Sequence, residues 1–185
     1  ILDTLYLAPM TLQAEDDNET FITLDCQPLG KGININWLGL ENNNSAQLFY
    51  DTAQSVFDRL IDIYNIQDAG LLLSHIRYAI DDNDNSGVQV QGRLEQKKGI
   101  IRLSQMQNIA RAYRFEADDG AVENIIWDKY FSFDAPSMVM DGNYLSAELV
   151  SLLFDMELES VKEEWFEGDD LKAFISGNGG DVSQY

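Results

Sequence analysis

One segment constrains the fold of this chain more than any other. From Leu48 onward, Phe49, Ala53, Val56, Phe57, Leu60, Ile61 and Tyr64 recur at intervals of three and four, the repeat that lines one face of an α-helix. The spacing predicts a helix over Ser45–Tyr64 with Phe49, Val56, Phe57 and Leu60 facing inward, and Asn44 with Gln47 three residues on reads as its capping box. So wide an apolar stripe needs a surface to pack on.

The flanking sequence predicts sheet on both sides of that helix. Thr4–Leu12, Thr20–Cys26 and Ile33–Leu38 are short, rich in β-branched or aromatic residues, and separated by polar or glycine-bearing breaks at 15–18 and 30–32. Leu71, Leu72 and Leu73 suit a buried strand or a buried helix equally. Beyond them, the alternation Val88–Gln91, the turn Lys97-Lys98-Gly99, the β-rich Ile100–Leu103, and the pieces Ala112–Phe115, Ile125–Trp127 and Tyr130–Phe131 read as an antiparallel meander. Helical spacing returns at Leu145, Leu149, Leu152, Leu153 and Met156. Ser160 with Glu163 reads as a second capping box, and Asp169 or Asp170 as the cap of a last helix ending at Gly177. The expected fold is therefore α+β: a single domain over 1–185 with a mostly antiparallel sheet, one long amphipathic helix after the N-terminal strands, a helical C-terminus, and a flexible tail over 177–185.

Charge narrows the function classes. Twelve Lys and Arg stand against 32 Asp and Glu, a net charge of -20, which argues against direct binding to nucleic acid or to an anionic membrane. No apolar run has the ~18–20 residues that a bilayer crossing needs. The distribution is uneven: the net charge is -11 over 1–92, +5 over 93–114 (Arg93, Lys97, Lys98, Arg102, Arg111 and Arg114 against Glu95) and -14 over 115–185. A meander would place the basic island on adjacent strands. Cys26 is the only cysteine, so no intrachain disulfide can form and a reducing cytoplasm is the expected setting. No basic leader followed by an apolar run opens the chain, and any signal segment is expected to be absent or removed.

Three constellations invite a chemical reading. His75 is the single histidine, which excludes zinc and iron sites that need two or more; paired with Cys26 it offers a thiol and a base, although both lie in apolar-rich segments that suit core residues better. Asp82-Asn83-Asp84-Asn85-Ser86-Gly87 places oxygen ligands at positions one, three and five of a calcium loop with glycine at six. Position twelve is Arg93 where a bidentate Glu belongs, so the segment reads first as a hairpin turn, with only weak Ca²⁺ binding at Asp82, Asp84 and Ser86 and no other cofactor. Near the C-terminus, Glu159, Glu163, Glu164 and Glu167 are like charges at or near helical spacing beside Trp165, offset locally by Lys162 alone.

These features lead to the expectation of a non-catalytic acidic protein that occludes the basic surface of a protein partner, such as a nucleic-acid-binding protein or a nuclease. Glu159, Glu163, Glu164, Trp165 and Glu167 form the expected contact face, carboxylates standing in for phosphates. The alternatives are a small carboxylate-based enzyme, dependent on a divalent cation at Asp82 and Asp84, and a structural subunit whose basic island docks on a neighbour's acidic face in a homo-oligomer.

Overall fold

Six α-helices, not an antiparallel sheet, build the described part of the chain. The computed structural model describes residues 10–14, 17–24, 32–41, 43–80, 99–133 and 138–180. Strands Met10–Ala14 (β1) and Asp17–Leu24 (β2) form an antiparallel hairpin, and Ile33–Asn34 (β3) pairs in parallel with Phe131–Ser132 (β4). The helices are Gln47–Tyr64 (α1), Ala69–Ile80 (α2), Leu103–Ala117 (α3), Ala147–Phe154 (α4), Leu158–Glu164 (α5) and Leu171–Gly177 (α6), with short 3₁₀ turns between several of them. The expected α+β fold with a mostly antiparallel sheet is thus overturned. A helix does follow the first strands, but its 18 residues stand beside the 15 of α3 and the 12 of α2, so no single long helix dominates.

The main departure lies in the expected meander. Ile100 and Ile101 favour a strand locally, yet Met106, Ile109, Ala110 and Tyr113 are all buried in α3. Those four share one face at the helical repeat, whereas a strand would send Ile109 and Ala110 to opposite sides. Burial of the common face decides for helix, and Ala112–Phe115, expected as a strand, lies inside it. Arg111 and Arg114 therefore sit on α3 and Arg102 at its N-cap, not on adjacent strands. The strand expected over Ile33–Leu38 stops after two residues. The Asn34 side chain accepts the Asn36 N–H at 3.0 Å and turns the chain into a 3₁₀ helix over Ile35–Gly39, the competition with sheet that Asn offers. Asn36 then serves as a substitute strand neighbour. Its amide donates to Ile100 O at 3.0 Å and accepts from Ile100 N at 2.7 Å, so both backbone groups of a buried residue are paired.

One contiguous core joins the six helices with β3 and β4. Val56, Phe57 and Leu60 of α1, Leu72 and Ile76 of α2, Met106 and Ile109 of α3, and Leu149 and Val150 of α4 meet Ile33, Trp37, Trp127 and Phe131. The inward set expected for α1 is buried, with Phe49 half-buried and edge-on to Trp37 at 4.8 Å between ring centres; Leu48, counted in the same periodicity, faces solvent. Arginines tie helices together: Arg77 on α2 donates to Leu38 O and to the Tyr50 hydroxyl and pairs with Glu41 at 2.7 Å, and Arg59 on α1 donates to Leu152 O and to Asp155 at 2.7 Å.

The helix ends follow a shared device. Asn65 and Asp155 adopt left-handed backbone after α1 and α4, with Ile66 N donating to Ile61 O and Met156 N to Ser151 O. Gly179 does the same after α6, where Gly180 N donates to Ile175 O at 2.9 Å. In each case the reversal satisfies a terminal carbonyl. Residues 177–180 hold this helix end and its cap, and the rest of the stretch expected as a tail, 181–185, lies outside the described residues. The expected cap at Asp170 is present, its side chain accepting the Ala173 N–H. The other two capping boxes are not: Asn43, not Asn44, caps the 3₁₀ turn ahead of α1, and Glu157, not Ser160, caps α5. Among the described residues, no helix is long and apolar enough to cross a membrane.

Candidate functional site

The acidic corner formed by α5 and its flanks begins with a short helix. Glu157 accepts the Ser160 N–H at 3.3 Å and its hydroxyl at 2.5 Å, so a carboxylate occupies the positive end of α5. The helix stops after Glu164 because Trp165 is extended. Glu163 and Glu167 therefore do not form the like-charge helical pair that the spacing suggested, while Glu159 and Glu163 remain one turn apart on α5. Glu159 is paired with Lys162 at 3.4 Å.

Trp165, expected on the contact face, is buried. It is 4% exposed, its indole N–H donates to Leu145 O at 2.8 Å, and its ring lies 5.2 Å from that of Phe174 on α6. This is a core anchor joining α5 to the start of α4 and to α6. The aromatic that faces outward is its neighbour Phe166, 64% exposed. Between Asp155 and Asp170 the exposed acids are Asp155, Glu157, Glu159, Glu163, Glu164, Glu167, Asp169 and Asp170, against Lys162, a net charge of -7 in sixteen residues. Asp155 is engaged by Arg59 and Asp170 by the α6 cap. The segment thus exposes a run of carboxylates together with one aromatic ring. The sequence signal for Phe166 was present in the Trp165-Phe166 pair, but which of two adjacent aromatics faces in depends on where α5 ends.

Opposite consequences follow for the two rings. Trp165→Phe is expected to lower stability by about 1 kcal/mol through the lost hydrogen bond to a buried carbonyl, measured by urea unfolding. Phe166→Ala should leave the midpoint within the small range typical of surface changes.

The remaining sequence candidates are distributed elsewhere. His75 is buried, 1% exposed, between α2 and α3, with Nε2 3.0 Å from Glu116 Oε2. Its Nδ1 has no partner among the described residues. Cys26, Asp82, Asp84, Ser86, Arg93, Lys97 and Lys98 lie outside the described residues, as does the strand expected over Val88–Gln91. Among the described residues, no group of three or more His, Cys, Asp or Glu side chains is arranged to hold a metal ion.

A buried carboxylate that sequence reasoning missed is Asp119. It accepts from Gln67 N and Ala121 N, each at 2.9 Å, and from the Tyr113 hydroxyl at 3.0 Å, while that hydroxyl accepts from Asp68 N at 3.1 Å. Burial pushes the Asp119 carboxyl up, but the three donors outweigh it and hold the group below the usual carboxylate range. Burial and the adjacent carboxylate push the Tyr113 hydroxyl up, so it stays protonated and donating. One carboxylate oxygen joins the α1–α2 loop to the end of α3 and the other caps the 3₁₀ turn over Gly120–Asn124, which marks a structural role.

Comparison with protein-family models, curated protein sequences and solved structures finds no match.

Proposed function

We propose that this protein binds a basic protein surface through the corner around α5, occluding a site that otherwise meets phosphates, as on a nuclease or another nucleic-acid-binding protein. The observation that carries the reading is the run of exposed carboxylates between Asp155 and Asp170, with the exposed ring of Phe166 in the same segment. A dense field of one sign steers a cationic partner into encounter, and an exposed aromatic in the same segment supplies the apolar anchor that a purely electrostatic contact lacks. Trp165 is replaced by Phe166 in this role. A cytoplasmic setting belongs to the same reading. His75 does not support an enzyme, because it is sealed between two helices and joined to one carboxylate.

The test begins with a partner captured from native cell extract at low salt and eluted by moderate salt. Wild type is then compared with the triple variant Glu163→Gln, Glu164→Gln, Glu167→Gln. The variant should fold with unchanged or slightly higher stability, since like-charge repulsion is relieved. Association at low salt should slow by about tenfold, and the difference should shrink as salt screens the field. Phe166→Ala should act mainly on dissociation. Equal association rates for the triple variant and wild type at low salt would sink the proposal.

A further inference from the structure

A cleft of about 340 Å³ opens between α3 and the 3₁₀ turns over 120–129, sharing no residue with the acidic corner. Its size falls in the range of small-molecule sites. Leu103 and Ile126 supply the accessible apolar lining over the buried Ala110, Val122, Ile125 and Trp127, and Arg111 contributes a donor. Leu103, Gln107, Ala110 and Arg111 share one face of α3 at helical spacing, so the helix presents apolar lining and a cation together.

The charges around the cleft are not equivalent. Glu123 is already engaged by Arg114 at 2.5 Å. Arg111, in contrast, makes among the described residues only a long hydrogen bond of 3.3 Å, to the neutral side chain of Asn108. Trp127 is 3% exposed, and its Nε1–H has no acceptor among the described residues; a buried indole N–H ordinarily has one. The exposed guanidinium of Arg111 thus stands beside an apolar lining and asks for acceptor oxygens, and the buried Trp127 ring borders the same cleft. Asp128 on the same cleft, together with the net charge of -20, disfavours multiply charged anions. The geometry points to a binding site for a small monocarboxylate with an aromatic or branched aliphatic body, the carboxylate meeting Arg111 and the body lying on Leu103 and Ile126.

The chain's three tryptophans make the test direct, because each indole N–H has its own signal in a ¹⁵N-correlated NMR spectrum and Trp127→Phe assigns the relevant one. Should that variant not fold, backbone-linked assignment of the wild type serves. Phenylacetate, phenylacetamide and phenethylamine are titrated in parallel at low salt. Expected is a saturable shift of the Trp127 indole signal with phenylacetate, at roughly millimolar affinity or tighter, with phenylacetamide about tenfold weaker for want of a charge-assisted bond. Exposed Arg111→Gln should remove the preference for the acid over the amide and leave the fold unchanged. The inference is overturned if phenylacetate produces no saturable Trp127 shift, if the amide or the amine binds as well as the acid, or if Arg111→Gln binds phenylacetate like the wild type.

Discussion

Phe57→Ala is expected to lower the free energy of unfolding by about 3–5 kcal/mol, because truncation forfeits both the transfer of a ring from water and the packing around it. Phe57 is 1% exposed in the middle of α1, on the face shared with Ala53, Val56 and Leu60. Its helix borders the Ile35–Gly39 turn on one side and α4 on another, so the cavity cannot be closed by moving one surface element. Chemical denaturation followed by far-ultraviolet circular dichroism measures the effect. Phe57→Leu, which keeps most of the volume, should recover more than half of the loss, and an unchanged midpoint in Phe57→Ala would show that the ring is not packed as described.

The second large effect is expected at Asp119. Asp119→Ala leaves Gln67 N–H, Ala121 N–H and the Tyr113 hydroxyl without their common acceptor, and should cost about 2–4 kcal/mol, since hydrogen bonds to a charged group are worth more than neutral ones and stranded donors add a penalty. The pH dependence follows from the depressed pKa of the native carboxyl, against an ordinary value of 3.8. A group depressed by folding adds stability that is present above its unfolded pKa and is lost as pH falls through the folded one. The gap between wild type and Asp119→Asn should therefore be constant from neutral pH down to about pH 5 and narrow below about pH 4. Urea midpoints collected between pH 7 and pH 2.5 check this, and a gap that widened in acid would contradict the hydrogen-bonding assignment of Asp119.

The amphipathic face of α1 was legible because a helical repeat is a property of neighbouring residues, and the α6 cap was narrowed to Asp169 or Asp170 for the same reason. The pattern Met106, Ile109, Ala110, Tyr113 was equally local, but it competed with the β preference of Ile100-Ile101 and the aromatic residues after it. Propensity spans only about 1 kcal/mol in strands, so burial of four residues on one face outweighs it. The net charge and its crowding toward the C-terminus also follow from the chain alone.

Other features depend on groups far apart in sequence. Asn36 ends a strand and pairs with Ile100, 64 residues on. Asp119 is buried as a carboxylate because Gln67 N–H, 52 residues earlier, and the Tyr113 hydroxyl complete its shell. Trp165 turns inward to reach the carbonyl of Leu145 and the ring of Phe174, and Phe166 is thereby left outside. The sequence by itself determined the α1 stripe, the α6 cap and the acidic field, since each rests on the order of adjacent residues. Only the tertiary structure decided which aromatic, which carboxylate and which arginine remain available to a ligand, because availability depends on hydrogen-bond partners and packing surfaces that the fold brings from distant parts of the chain.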